Sequence, residues 1–401
     1  MKYFSILFIA LLFSSCHRKG DQATVPGSWD EVVAAGTGST VRMMMWQGDP
    51  FINTYMQQYV KPKLKELYGI ELEISSGQGN MIVSLLLSEL EAGKKQSSID
   101  MMWINGETFY QLRQIDALYG PFSGILPNER YIDWDNPYIA TDFQQPINGM
   151  ECPWGNVQLS IIYDSLRTPE PPRTMTELLT YVQAHPGSFT IPNEFTGMTL
   201  LKSWLIAIAG GDSVLAGPFD EQKYQHYSAQ LWEYIRALQP YMWKEGKTFP
   251  DGPATMHRML ANGEIDFSMS NNDGEVDNKV LQGILPETAR SYVFTSGTIR
   301  NSHYLGLTQR SSNLPGAMMV INFLISPEAQ FEKMQPAVWG DGTVLRTDEL
   351  PDNWPQQFRE IPGRKYAPDR ASISRYALME LSPEYMIRLF DDFRNIIIEG
   401  R

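Results

Sequence analysis

Val41-Arg42-Met43-Met44-Met45-Trp46-Gln47-Gly48-Asp49 is an apolar run that stops at a turn and gives way at once to a helical pattern. A run of that length bounded by turn residues suits a strand covered on both faces, and Gly48-Asp49-Pro50 carries the turn and the helix start together. From Phe51 to Leu67, Phe51, Tyr55, Tyr59 and Leu64 fall on one helical face. The unit then repeats as strand Ile70 to Ile74, polar turn Ser75-Ser76-Gly77-Gln78-Gly79-Asn80 and helix Met81 to Leu90. It repeats again as strand Ser98 to Ile104, with Asn105-Gly106-Glu107 opening a further helix. Three such units in a row predict an α/β domain with parallel strands. Ligands of these sheets sit outside the carboxyl ends of the strands, which puts Trp46, Ser76 and Trp103 at a cleft.

The chain has 401 residues, enough for two domains of ordinary size. Its net charge of -13 argues against a nucleic-acid or anionic-lipid surface and leaves a cationic ligand open. Lys2 precedes an apolar run, Phe4 to Phe13, too short to span a membrane as a mature helix and the right size for a signal-peptide core. Phe13-Ser14-Ser15-Cys16 resembles the lipobox of bacterial lipoproteins, with Phe13 in place of the commoner Leu. That resemblance implies removal of residues 1–15 and acylation of Cys16; the alternative is a secretory signal with an incidental cysteine. With Cys16 lipidated, Cys152 has no partner for an internal disulfide. Residues 16–40 read as a tether ending in one short helix, Ser28 to Ala35, with Ser28 as a cap ahead of Glu31.

After irregular sequence from Tyr119 to Asn148, Val157 to Tyr163 reads as a strand. Thr174 and Glu177 form a capping-box pattern for a helix over Met175 to Ala184, and Ser188 to Ile191 reads as a short strand. The turn Pro192-Asn193-Glu194-Phe195-Thr196-Gly197 leads a very apolar helix, Met198 to Ala209, that Gly210-Gly211 stops. Helices at Tyr224 to Leu238 and Ala254 to Asn262 follow, then a strand from Ile265 to Ser270 that ends at Asn271-Asn272-Asp273-Gly274. This logic is self-contained and places a second lobe at about 158–291. Beyond it, Val293 to Thr298 and His303 to Leu307 read as two strands around a turn.

Asn313-Leu314-Pro315-Gly316-Ala317-Met318-Met319-Val320-Ile321-Asn322-Phe323-Leu324-Ile325-Ser326-Pro327-Glu328-Ala329-Gln330 resembles a segment of the extracellular solute-binding proteins of bacterial ABC importers. Pro171-Pro172-Arg173-Thr174-Met175-Thr176-Glu177-Leu178 resembles the same family's entry to its second lobe, with Met175 replacing the usual Trp. Trp46-Gln47-Gly48-Asp49 and Asp100-Met101-Met102-Trp103-Ile104-Asn105-Gly106-Glu107 resemble a subgroup near the thiamine-, polyamine- and iron-binding cluster. The resemblance implies an α/β, two-lobed, hinge-closing fold of the type II periplasmic-binding-protein kind. In it the second lobe is inserted into the first: residues 41–157 begin lobe 1, 158–291 form lobe 2, and 292–401 return to lobe 1 and end in C-terminal helices packed on it. It also implies a monomeric receptor on the extracytoplasmic face that passes a small solute to a membrane permease and holds no cofactor or metal.

The residues themselves weigh binding above catalysis. Five histidines are scattered without ligand spacing, and no phosphate loop, Gly-x-Ser-x-Gly or His-Glu-x-x-His is present. Asp133 and Asp135 are the one pair that suits an envelope glycan hydrolase, against the plainer reading of solvated turn formers. Ser76, Gln78 and Asn80 sit at a helix start, as ligand donors or simple caps. Trp46 and Trp103 either stack on a ligand or pack in the core. Asp49 either pairs with a ligand ammonium or caps the helix at Pro50, and Gly48 and Asn105 share these loops. From the second lobe come Asn193, Thr196, Asn271, Asn272 and Asp273; near the crossings lie Trp154, Asn156 and His303. These loops are poor in Lys and Arg, which favours a neutral or cationic organic solute over a small oxyanion held by side-chain charge; an organic cation or polar aromatic, thiamine-like or polyamine-like, is the first expectation, and a saccharide or opine comes next.

Overall fold

The computed structural model describes residues 27–400, so the signal segment and Cys16 lie outside the described residues. In chain order the strands are β1 (Thr40–Met45), β2 (Glu71–Ser76), β3 (Met101–Ile104), β4 (Leu118–Tyr119), the hairpin β5 (Thr141–Asp142) and β6 (Gln145–Pro146), and β7 (Glu151–Gln158). There follow β8 (Ser160–Asp164), β9 (Phe267–Ser270), β10 (Ala289–Tyr292), β11 (Thr298–Thr308) and β12 (Ala377–Leu378). The main sheet runs β12-β11-β3-β1-β2, with β4 and β7 also paired to β11. β1 is parallel to β2 and β3, which sets Met45 beside Ser76 and Met44 beside Met102. β11 enters this parallel core antiparallel, with Leu305 opposite Trp103, because it returns from the other lobe. The sheet is therefore mixed. A second sheet, β10-β8-β9, is antiparallel throughout.

The strand–turn–helix repeats form where the pattern places them. The first helix is not uniform: Pro50–Thr54 and Lys61–Tyr68 are α-helical, joined by a π-helical turn over Tyr55–Val60. Three strand readings differ. Val157 to Tyr163 is split at Leu159, where the chain leaves one sheet for the other, and β11 is one long strand where a turn was expected. Ser188 to Ile191 is no strand, although its backbone is bonded: Ser188 O accepts from Asp266 N (2.7 Å) and Phe189 O from Trp243 N (2.8 Å). The helix at the end of the tether, Trp29–Gly36, has Ser28 as its cap and packs on the helix Leu314–Leu324. Gly36 permits that contact, since a Cβ there would lie 2.7 Å from Met319 Sδ.

Buried apolar residues flank the main sheet in two clusters, one including Val41, Met43, Val320 and Phe323, the other Ile82, Met102, Ile104 and Phe109. A third, larger cluster fills the second lobe around Trp204, Phe267 and Met269. The C-terminal helix Pro383–Asp392 belongs to this third cluster through Tyr385, Met386 and Leu389. The expected packing on the first lobe is met only by its start, against Gly106–Gln114; its buried face belongs to the second lobe. Its apolar face meets the very apolar helix Phe195–Ala209, which is buried on most sides and needs a cover. Among the described residues the chain thus crosses between lobes at Leu159, at 293–297, and between Phe358 and Tyr366, which lie in different cores.

Asp273 ties these crossings together. It is fully buried, accepts from Gln158 N at 3.0 Å, and pairs with Arg364 (2.5 Å) and Arg370 (2.8 Å). Burial works against its ionisation, but the two guanidinium groups outweigh burial and hold the carboxyl well below the usual carboxylate range.

Candidate functional site

Between the lobes lies a cavity of about 620 Å³. Eleven of the residues singled out from sequence line it: Trp46, Asp49, Gln78, Asn80, Trp103, Asn105, Asn193, Thr196, Asn271, Asn272 and His303. The tips after β1, β3 and β9, far apart in the chain, therefore share one space.

One wall is aromatic. Trp103 stands edge-on to Trp46, with ring centroids 6.4 Å apart, and contacts His303 at 4.9 Å and Trp339 at 5.8 Å. His303 is stacked on Trp339. Gly48 belongs to this wall by omission, because a Cβ there would overlap the indole of Trp46. Aromatic faces of this kind attract cations and flat rings.

Most charged groups in the lining are already paired. Asp49 caps the helix as its loop permits, and the ammonium it pairs with belongs to the protein. Oδ1 caps the Pro50 helix, accepting from Phe51 N (2.7 Å) and Ile52 N (3.3 Å), while Oδ2 pairs with Lys279 from the second lobe. Lys279 also lies 3.4 Å from Glu275, which pairs with His257 at 3.0 Å. Burial acts to raise the Glu275 carboxyl, and the adjacent Lys279 and His257 outweigh it, holding it at about 2. Asp341 lies 2.5 Å from the buried Lys333 and 3.2 Å from His303.

Two carboxylates are not compensated in this way. Glu107 has one oxygen buried without a hydrogen-bond partner, and burial pushes its carboxyl up. The ammonium behind it, Lys202, is committed to Glu380 at 2.8 and 2.6 Å. Glu194 caps the helix Phe195–Ala209 through Thr196 N at 2.8 Å, and burial pushes it up to about 7. Arg394 is the one Lys or Arg in the lining among the described residues.

Other candidates lie elsewhere for identifiable reasons. Asn156 is saturated by the hinge, its amide donating to Asn301 O (3.1 Å) and its carbonyl accepting from Arg300 Nε (2.6 Å). Trp154 is buried behind Trp103 and Trp339, and Asp273 is spent on its two arginines. Ser76 ends β2 with its side chain exposed, outside the lining. Asp133 and Asp135 are both bound to Arg346, at 3.3 and 2.7 Å, away from the cavity, which removes the observation behind a glycan hydrolase.

Residues 58–357 match the family described as bacterial extracellular solute-binding protein. This chain belongs to that family. Protein YnjB of Escherichia coli (strain K12) is 36% identical to this solute-binding protein over 334 residues, 82% of this chain and 86% of that one. Two solved structures share the fold at low identity. The spermidine/putrescine ABC transporter substrate-binding protein PotD from Streptococcus pneumoniae has a TM-score of 0.61 at 15% identity, over 89% of this chain and 99% of that one. The periplasmic binding protein AfuA from Actinobacillus pleuropneumoniae, with fructose-6-phosphate bound, has a TM-score of 0.62 at 14% identity, over 90% and 98%. The two-lobed α/β fold is thus that of periplasmic and ABC-transporter substrate-binding proteins, in keeping with a family of extracellular solute-binding proteins.

Sequence reasoning missed Glu107, Glu194 and Trp339. The two glutamates stand in turns whose pattern marks only helix starts; a carboxylate in a turn that lines a cleft is the signal that could have found them. Trp339 sits in Pro336-Ala337-Val338-Trp339-Gly340, which carries no periodicity to place it.

Proposed function

We propose that this receptor captures a small organic cation, thiamine-like or polyamine-like in class, between its two lobes and hands it to a membrane permease. The observation that carries the reading is the pair of cavity carboxylates without cationic partners, Glu107 and Glu194, beside an aromatic wall. An ammonium stabilised by carboxylate and ring faces satisfies both, at a site whose one fixed Lys or Arg among the described residues is Arg394. The polyamine name of the Streptococcus pneumoniae relative agrees with this chemistry, and the sugar-phosphate complex of the AfuA relative does not.

Closure follows from the same geometry. Lobe 1 comprises 41–157 and the return from 292, lobe 2 comprises 158–291 joined by the C-terminal helix, and the Asp273 hub holds the crossing strands in register as the lobes rotate. A solute that contacts both lobes binds the closed form better and shifts the equilibrium toward it. Cys16 anchors the monomer to the membrane by acylation after residues 1–15 are removed, which keeps the receptor beside its permease.

Thermal denaturation with thiamine, choline, spermidine, glucose and fructose 6-phosphate tests the reading. A cation at a hundred times its Kd should add about 2.7 kcal/mol of stability by mass action. Stabilisation by glucose or fructose 6-phosphate with none by the three cations would overturn it.

A further inference from the structure

The C-terminal helix, read from sequence as structural packing, reaches the cavity. Ile387, Phe390, Asp391 and Arg394 line it. Their spacing of three, one and three residues is one face of a helix, and the span from Ile387 to Arg394 is about 10 Å at ~1.5 Å per residue. The other face is fixed to the second lobe. Tyr224 Oη donates to Asp392 at 2.7 Å, Arg388 pairs with Glu221 at 2.5 Å, and Tyr385, Leu389 and Phe393 are buried in the core. The start of the helix meets the first lobe, where it packs on Gly106–Gln114 and sets the Glu384 carboxylate against the Tyr110 phenol. The stripe therefore leads from the helix that carries Glu107 across to the second lobe.

Arg394 lies in a π-helical turn, Phe393–Ile398, that lets Phe393 stay in the core while its neighbour lines the cavity. Widened turns of this kind recur at functional sites. Its partner is weak: Asp391 is 4.0 Å away, and both side chains are more than half exposed. An exposed pair at that distance contributes little, so the guanidinium remains available to a solute. The lining is thus polarised, with Glu107 and Glu194 calling for a cation and Arg394 offering a fork of donors suited to phosphate or carboxylate.

We infer that the C-terminal helix is a third wall of the solute site and that Arg394 receives an anionic substituent on a solute whose cationic head lies against Glu107 and the aromatic wall. This rests on the organic-cation reading and adds a second, oppositely charged contact. The solute class is then an amphoteric cation, an ammonium or ring cation bearing a phosphate or carboxylate group.

Matched pairs test it: choline against phosphocholine, and thiamine against thiamine monophosphate, titrated calorimetrically into the wild type, Arg394→Glu and Arg394→Lys. The wild type should prefer the phosphorylated member of the pair it binds by about fivefold, the range of a partly exposed ion pair. Arg394→Glu should abolish or reverse that preference, and Arg394→Lys should keep most of it. Because the side chain is largely exposed, an unchanged melting temperature without solute shows that the variants fold. A wild type with no preference overturns the inference and leaves the cation reading standing. So does a preference that survives Arg394→Glu, or an equal loss for both members of a pair. Binding of glucose or inorganic phosphate with none of the four cations defeats the cation reading itself, and this inference with it.

Discussion

Lys279→Met should weaken solute binding about a hundredfold without unfolding the protein. The ammonium comes from the second lobe, is 3% exposed, and meets Asp49 of the first lobe, which is 10% exposed. With the other Asp49 oxygen committed to capping Phe51 and Ile52, Lys279 is the one Lys or Arg that pairs with Asp49 among the described residues. Removing one member of a buried, hydrogen-bonded charge pair costs about 2–5 kcal/mol, mostly from the charge left behind. Here that charge regains water when the lobes part, so the cost falls on the closed form alone. Taking about 3 kcal/mol, the closing constant drops about a hundredfold, and the apparent Kd rises by the same factor because the solute is held by the closed form. Glu275 keeps His257, which limits further damage. Lys279→Arg, which preserves the charge, should lose less than about tenfold. The assay is calorimetric titration with the tightest binder among thiamine, choline and spermidine. A Kd for Lys279→Met within threefold of wild type would refute the claim that the closed form buries Asp49 without a substitute partner.

Three further outcomes follow from the same geometry. Glu107→Gln should reduce cation affinity by about ten- to a hundredfold, the worth of a charged hydrogen bond, with little change in melting temperature; equal affinity in both proteins would dismiss Glu107 as a contact. Cation affinity should rise with pH between about 6 and 8 and then level. Glu194 in the empty site titrates at about 7, a bound cation lowers that value, and the complex therefore holds fewer protons than the free site. A flat profile, or one that Glu194→Gln leaves unchanged, would exclude this coupling. Asp273→Asn should cost about 3–5 kcal/mol in urea denaturation, because Arg364 and Arg370 are left facing each other at a buried position. Since the Asp273 carboxyl is depressed in the folded state, its stabilisation is complete above the ordinary carboxylate range near ~4 and is lost as pH falls through the folded value, so the variant's deficit should shrink in acid. A loss under about 1 kcal/mol at neutral pH would mean that the hub is inert.

The parallel core was legible because the strand–turn–helix units are local. β1, β3 and β9 end at Met45, Ile104 and Ser270, at the tips where the pattern puts them, and the capping box at Thr174 and Glu177 forms as read. Local patterns failed wherever a partner distant in the chain decided the outcome. Asp49 has no base within its own loop, and Lys279, 230 residues on, supplies it. Asp273 looks like any residue of an Asn-rich turn until Arg364 and Arg370 arrive about ninety residues later. The amphipathic C-terminal helix declares that one face is buried but not against which lobe, and nothing in its pattern says that part of the other face lines the cavity.

The contacts between the lobes divide by chemistry, and the division explains how a closed form can still open. Around the cavity they are polar: Asp49 with Lys279, Asn278 Nδ2 donating to Pro336 O at 3.1 Å, and the Glu384 carboxylate against Tyr110. Such groups are rehydrated on opening, so separating them costs little net free energy. On the far side the β5–β6 hairpin sends Phe143 into the second-lobe core, with Phe143 and Gln144 both in the left-handed region at φ 45° and 60°. A non-glycine pair there is held only by strong surroundings. Phe143 lies 3.9 Å beneath the Lys202 ammonium and against Gly106, where any Cβ would overlap its ring, and Gln144 bonds Gly217 N at 2.7 Å and Glu380 O at 2.6 Å. Exposing that ring would forfeit about 2–3 kcal/mol of burial together with these bonds, with no water-satisfied alternative for the ring. Opening therefore proceeds at the polar mouth while the Phe143 prong stays seated, which makes the prong and the Asp273 hub the fixed axis and keeps Gly106–Gln114, with Glu107 at its start, close to that axis as the lobes part.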